Sequence, residues 1–322
     1  MPEIRTDNKT QEANKETSED KTSEKIKSSI EKQNFTHIEK IYWPQEGYTK
    51  ANLIEYYIKI APWILPHLKN RPIILHRYPN GIEGIDFYQK DMTMKLPKGI
   101  QTTVVQHDEK TDKYLLINDL ESLLYAVNLG SIEFHPFLAR KNYLHKPDYC
   151  VIDLDPHDIP FDLVVEVALF IHQTLEQIKV MNFCKTSGGK GLYILIPLHG
   201  KYTFEQSKQF AEILAQYVYS HFPEQTSLER SPEKRPNKLY IDCLQNHYGQ
   251  AIAAPYSMRA RPLATISTPL DWQELDSKLS PAQFNLKTIF KRLENKPDIL
   301  LPVLKSSVNL SSALKRLQKL PS

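Results

Sequence analysis

The chain of 322 residues is predicted to be a mixed α/β (α+β) protein. Three observations predict this. Segments with apolar residues at helical spacing are interleaved with short apolar runs bounded by Gly, Pro and Asn turns. The composition, 41% hydrophobic and 25% charged, is that of a globular protein with room for a sizeable core. No internal repeat is present, which excludes solenoids and propellers.

The first element is a charged tail. Residues 1–33 hold 7 basic and 8 acidic residues and no aromatic one. Too little apolar surface is present to offset the entropy of ordering, so a disordered tail is expected, with a nascent helix at 24–33. The body opens on Ile41-Tyr42-Trp43-Pro44. Thr49 is placed to cap a helix through Leu53, Tyr56, Tyr57 and Ile60, and Pro62 suggests a second short helix over 62–68. Strands are expected at 72–78, 87–90, 104–106 and 114–117. A helix over 121–129 stops at Gly130, and strands follow at 132–135 and 149–155. The longest amphipathic helix is expected at 161–180. After it come a strand at 184–186, a Gly-rich turn, a strand at 192–197, a helix at 204–222, and two strands, 238–244 and 251–254, around a turn at Tyr248-Gly249. Helical pieces and proline turns complete the chain. The expected organisation is a tail (1–33), one domain (34–300) and a C-terminal helical segment (301–322) packed on the domain or trailing from it.

Several function classes are excluded by composition. No run of 18 apolar residues exists and the N-terminus lacks a basic-then-apolar layout, so neither a membrane span nor a secretory signal is expected. Cys150, Cys184 and Cys243 are far apart, which argues against a disulfide framework or zinc ribbon and for a reducing cytoplasm. The formal charge of +3 leaves nucleic acid open, because a local basic groove can sit inside a near-neutral total.

Five patterns carry chemistry. An apolar run ends in Asp153-Leu154-Asp155-Pro156. Residues i and i+2 of a strand share a face, and two carboxylates there repel unless a hard cation such as Mg²⁺ or Mn²⁺ lies between them; a helix cap or loop entry would also use these residues. Lys185-Thr-Ser187-Gly-Gly-Lys190-Gly191 suits a phosphate, through backbone amides turned inward plus Ser and Lys donors, although it is not a P-loop and a plain hairpin turn is the alternative. Asp242, inside the apolar run 239–244, would complete a three-carboxylate site or stand as an edge-strand Asp. Arg235 and Lys238 precede it, and Arg259 and Arg261 share a face suited to polyphosphate or form a surface pair. A fifth set, Lys40, Lys50, Arg77, Phe87, Tyr88 and Lys90, interleaves cations with aromatics, as a nucleic-acid end requires; core packing is its ordinary alternative.

Taken in order, the motifs are Tyr42-Trp43-Pro44, Gly47-Tyr-Thr-Lys50, Arg77-Tyr-Pro-Asn-Gly81, Phe87-Tyr-Gln-Lys90 and Asn118-Asp-Leu-x-Ser-Leu123. They continue with Glu133-x-His-Pro136, Asp153-Leu-Asp-Pro156, Thr186-Ser-Gly-Gly-Lys-Gly-Leu192, Ile241-Asp-x-Leu-Gln-Asn246 and Ala254-Pro-Tyr-Ser-x-Arg-Ala-Arg-Pro262. This series resembles the polymerase domain of bacterial ligase D, of the archaeo-eukaryotic primase superfamily, from about Asn34 to about residue 300. The resemblance implies a primase-polymerase fold: a mixed central sheet flanked by helices, with an N-terminal αβ lobe. It implies gap filling at 5′-phosphorylated DNA ends by two Mn²⁺ or Mg²⁺ ions held by Asp153, Asp155 and Asp242, with ribonucleotides preferred. Ser187, Lys190, Arg259, Arg261, His135 and Arg235 would serve the incoming nucleoside triphosphate. Lys40 and Lys50 would grip the 5′-phosphate, and Phe87 and Tyr88, with Arg77, would meet the template. Tyr193 stands where the family usually has His, which implies weaker triphosphate binding. The resemblance further implies a Ku-like partner. No ligase or nuclease signature occurs, so any ligase is expected to be a separate protein. A catalytically weak end-bridging module is the alternative function.

Overall fold

The computed structural model describes residues 33–107, 110–294 and 296–321; the expected tail and its nascent helix fall almost wholly outside them. The described residues build a two-stranded hairpin and two larger sheets, of five and six strands. A short hairpin, β1 (Ile41–Trp43) and β2 (Tyr48–Thr49), leads into helix α1 (Lys50–Leu68). The first sheet is centred on β3 (Pro72–Arg77). On one side β3 pairs with β4 (Phe87–Gln89) and β6 (Thr111–Leu116), the latter joined to β5 (Gln101–Gln106); β7 (Ser131–Pro136) also runs along it. Helix α2 (Leu120–Asn128) precedes β7. Its N-terminus is tied by Asp119, whose carboxylate accepts from the Ser122 amide at 2.8 Å.

The second sheet has the order β11-β12-β8-β10-β9-β13, with β8 (Tyr149–Pro156), β9 (Phe183–Thr186), β10 (Leu192–Pro197), β11 (Thr226–Ser227), β12 (Leu239–Asp242) and β13 (Pro269–Leu270). Its pairs are antiparallel except β11 with β12. Helices α3 (Phe161–Gln177) and α4 (Phe204–His221) cover one face, joined by the later α6 (Leu310–Leu317), which follows α5 (Ile289–Leu293). Alternation along β8 explains the layering. Cys150, Ile152 and Leu154 point into the helix-side core with Ile194, Ile196 and Ile241. Tyr149 and Val151 point to the opposite face, which passes from apolar packing to carboxylates at Asp153 and Asp155. Burying an aliphatic side chain of this kind contributes about 1.5–3 kcal/mol, so the helix side fixes which residues face the other way.

Two elements differ from expectation. Helix α1 runs unbroken through Pro62 and Pro66. Pro62 faces solvent, where carbonyls left without a partner are hydrated, while Ile60, Ile64 and Leu68 stay packed. Residues 251–254 form no strand. Ala251 makes a lone bridge to Phe137, and the segment from Ala254 laces along β7 instead: the Ala254 amide donates to Phe134 O at 2.9 Å and Phe134 N donates to Ser257 Oγ at 3.0 Å. The Tyr56 hydroxyl holds the same segment through Tyr256 O at 2.7 Å. Among the described residues no helix is long and apolar enough to cross a membrane.

Candidate active site and nucleic-acid interface

Strand register assembles the site. Asp242 of β12 lies opposite Asp153 of β8, Asp153 opposite Tyr193 of β10, and Tyr193 opposite Lys185 of β9. Four side chains thus form one row across four strands. Asp155, two residues beyond Asp153, shares its face. Burial, then the charges of Asp242 and Asp155, push the Asp153 carboxyl well above the usual range. Burial chiefly raises Asp242 as well, although its Oδ1 accepts the Leu244 amide at 2.6 Å. Asp155 is turned outward and lies 3.5 Å from Arg235 Nη2. A divalent cation suits this trio: oxygen donors of like charge, two of them half-buried, disfavour one another until a hard cation is shared.

Lys185 is fully buried, a placement its motif did not disclose. Its Nζ donates to Ser267 Oγ at 2.6 Å and sits 4.2 Å from the Tyr193 ring centroid. Burial, then the neighbouring Arg259 charge, lowers the amine well below its ordinary range. Burial and the Asp153 charge hold the Tyr193 phenol well above its own, so it stays a neutral donor.

The glycine-rich turn joins β9 to β10 and differs in one respect from expectation. The amides of Gly189 and Gly191, expected to meet a phosphate, are already committed; both donate to Ser187 Oγ, at 3.0 and 3.1 Å. The serine staples the turn as an acceptor, and the groups left to meet an anion are its own hydroxyl hydrogen, the exposed Lys190 and the flanking arginines. Arg259 Nη1 donates to Ser187 O at 2.5 Å and its Nε lies 3.0 Å from Glu133 Oε2. Arg261 runs alongside Gly189. Two glycines are dictated by packing. A Cβ at Gly191 would stand 2.1 Å from Leu154 O, and one at Gly188 (φ +71°) would stand 2.7 Å from both Arg259 Cγ and Ser267 N. Arg235 is buried beside Asp155 with its guanidinium 4.3 Å from the Tyr240 ring centroid; its Nε and Nη1 have no protein hydrogen-bond partner.

His135 reaches the same region from β7, its Nε2 3.0 Å from Glu133 Oε2. Burial lowers the imidazole, so it is neutral at pH 7. Glu133, His76 and His135 bring their donor atoms within 4.8 Å of one another, a metal-compatible grouping that sequence patterns did not single out. The signal was available: Glu133 and His135 are i and i+2 on β7, and His76 lies opposite Glu133 on β3.

The fifth set of residues divides. Lys40, Lys50 and Arg77 line one surface cavity of about 260 Å³ with Thr36, Asn80 and Asn128. Lys50 Nζ donates to Thr36 O, Asn128 O and Asn128 Oδ1 at 2.8, 2.7 and 2.9 Å. Phe87 pairs with Arg77, whose guanidinium sits 5.0 Å from its ring centroid, next to this cavity. Tyr88 points to the other face of β4 and stacks on His76 at 3.9 Å, toward His135. The two adjacent aromatics therefore serve different surfaces, as strand alternation requires.

A carboxylate row, a stapled glycine turn and convergent guanidinium groups, set beside a separate cationic cavity, define a protein built to handle polyanions at an acidic centre. The chain belongs to the LigD primase-polymerase domain family, whose model matches residues 49–300. It is 34% identical over 263 residues to the bifunctional non-homologous end joining protein LigD of Bacillus subtilis, covering 81% of this chain and 42% of that protein. It is also 34% identical over 266 residues to the multifunctional LigD of Pseudomonas aeruginosa, covering 81% of this chain and 31% of that one. The chain thus corresponds to less than half of these relatives. The polymerase domain of Mycobacterium tuberculosis ligase D, solved in complex with DNA, superposes with a TM-score of 0.80 at 26% identity, covering 86% of this chain and 99% of that one. The fold expected from the sequence is therefore the fold observed.

Proposed function

We propose that this chain catalyses template-directed nucleotidyl transfer at DNA ends bearing a 5′-phosphate, filling gaps for end joining, with ribonucleotides preferred. The observation that carries the proposal is the row Asp242–Asp153–Tyr193 beside the Ser187-stapled turn and Arg259. Asp153, Asp155 and Asp242 would hold two divalent ions, Mn²⁺ or Mg²⁺. Such ions, when bound, lower the pKa of an attacking hydroxyl and offset charge at the transferred phosphorus. Lys190, Arg259 and Arg261 would neutralise the triphosphate, with the Ser187 hydroxyl as a further donor. His135, neutral and with its Nε2–H held by Glu133, would present Nδ1 as a hydrogen-bond acceptor near the nucleotide without adding charge. Arg235, with Nε and Nη1 uncommitted beside Asp155, would meet the nucleotide. Tyr193 would offer one neutral hydrogen bond where the family usually has an imidazole, so weaker triphosphate binding is expected.

Lys40, Lys50 and Arg77 would form the 5′-phosphate cavity, while Phe87 and Tyr88 would meet the template. We propose the cytoplasm, at the nucleoid, as the location, with a Ku-like protein and a DNA ligase as partners.

The test is extension of a primer on gapped DNA with a downstream 5′-phosphate, in Mn²⁺ or Mg²⁺, with ribo- and deoxyribonucleotides compared. Template-dependent addition that vanishes in Asp153→Ala is the expected result. Tight 5′-phosphate-dependent binding with no addition would replace the polymerase by an end-bridging module.

A further inference from the structure

The buried cluster where β3 meets β7 lies outside the carboxylate row. Glu133 is 3% exposed. Its Oε2 lies 3.0 Å from Arg259 Nε, 3.0 Å from His135 Nε2 and 3.4 Å from His76 Nδ1, and its Oε1 accepts the Ala260 amide at 3.0 Å. On its far side His76 Nε2 lies 2.6 Å from Asp86 Oδ1, and its ring carries the Tyr88 stack at 3.9 Å and 19°. Burial disfavours the His76 imidazolium, but hydrogen bonds to Glu133 and Asp86 outweigh it and raise the group above its ordinary value. Two carboxylates face one guanidinium and two imidazoles; the charged form is favoured at His76 and the neutral form at His135. A metal ion here would have to share Glu133 with Arg259, whose guanidinium already occupies the same oxygen, so the grouping reads as an internal ion network.

We propose that Glu133 is a positioning residue for the nucleotide pocket, and that His76 extends its hold to Tyr88, so that nucleotide and template contacts share one buried anchor. This rests on the polymerase reading of Arg259, His135 and Tyr88. The physical case is that one carboxylate engages four groups from three segments, β3, β7 and the 254–260 strap: hydrogen bonds from His135 and the Ala260 amide, and ion-pair contacts with Arg259 and His76. Without its charge, Arg259 keeps only the bond to Ser187 O, and His135 loses the acceptor that sets its tautomer. His76 would lose one of the two carboxylates that favour its charged form beneath the Tyr88 ring.

The test is steady-state kinetics with Mn²⁺ and a nucleoside triphosphate on gapped DNA for the wild type, Glu133→Gln, Glu133→Asp, His76→Gln, Tyr88→Ala and the His76→Gln/Tyr88→Ala double variant. Glu133→Gln keeps an acceptor for the Ala260 amide and removes the charge. It should raise the nucleotide KM about tenfold or more, with kcat lowered less than about threefold. Glu133→Asp should recover part of the loss. The His76 and Tyr88 effects should be non-additive, because the two rings form one stack. Melting curves identify any variant that does not fold. If Glu133→Gln does not, the His76–Tyr88 cycle decides alone, since it alters only one arm of the anchor. An unchanged nucleotide KM in a folded, wild-type-like Glu133→Gln, or additive His76 and Tyr88 effects, overturns the proposal while the wild type still polymerises. A wild type that adds no nucleotide removes the polymerase reading and this inference with it.

Discussion

Lys50 offers a test of the cationic cavity that needs only a change of pH. Burial, then repulsion from Lys40, lowers its ammonium from the ordinary lysine value to about 8. About nine-tenths of the side chain is charged at pH 7 and about one-tenth at pH 9. A terminal phosphate, with its second pKa near 6, is a dianion across that whole interval. If the phosphate binds only the charged form, affinity for a 5′-phosphorylated end falls about tenfold between pH 7 and pH 9, or about 1.4 kcal/mol. The sign follows from linkage. Binding favours the ammonium and takes up a proton above pH 8, so affinity is lost as pH rises through the unliganded value. Folding runs the other way, because the unfolded chain holds that proton up to about pH 10.4, and the stability tied to Lys50 grows between pH 8 and that point. The assay is fluorescence anisotropy at constant ionic strength, with 5′-phosphate and 5′-hydroxyl ends compared. The ratio of the two affinities should shrink about tenfold. Lys50→Arg, which stays charged throughout, should flatten the profile. A ratio that does not change with pH in the wild type would mean that Lys50 only ties Thr36 to Asn128, and the phosphate assignment of the cavity would fall.

Other expectations concern the row and the turn. Asp153→Asn should melt higher than the wild type near neutral pH in chelator, because a carboxyl whose folded pKa is raised destabilises the fold as pH rises above the ordinary range. The shift should be on the order of 2–4 °C for each kcal/mol of repulsion removed, and any Mn²⁺-dependent rise in melting temperature should disappear. Lys185→Met should also stabilise the fold at neutral pH, by about 1 kcal/mol, and so raise the melting temperature. The buried amine is held below its unfolded value, so its cost is present at neutral pH and fades toward pH 10.5; a fall of several degrees would refute this. Gly191→Ala should cost about 3 kcal/mol or more, read in a urea melt, because the added methyl meets a backbone carbonyl that cannot turn aside.

The sequence made some of this legible. Asp153 and Asp155 were recognisable as a pair because strand alternation is a local rule. Asp242 was recognised as a third carboxylate, but its place opposite Asp153 depends on how β12 pairs with β8, which local spacing does not state. Lys185 read as part of a strand opening a phosphate-suited turn, and only the row shows it buried beside Tyr193. Phe87 and Tyr88 read as one stacking pair. Their separation follows from alternation, but the partners waiting on each face, Arg77 and His76, come from another strand. The strap at 254–260 has the apolar look of a strand, but its partners are single carbonyls and hydroxyls distributed over β7 and α1, and no period encodes that.

The alternation along β8 has a consequence for how the protein tolerates error. Shifting this strand by one residue would turn Asp153 and Asp155 into the aliphatic layer beneath α3 and α4 and expel Ile152 and Leu154 toward the acidic face. Two unpaired carboxylates in that layer would each cost several kcal/mol, on top of the apolar burial forfeited. The misaligned sheet is thereby selected against during folding by the same residues proposed to act in catalysis. Insertions and deletions are correspondingly barred from β8 itself and confined to the turns around it, and a molecule that has folded at all has its acidic centre facing the right way.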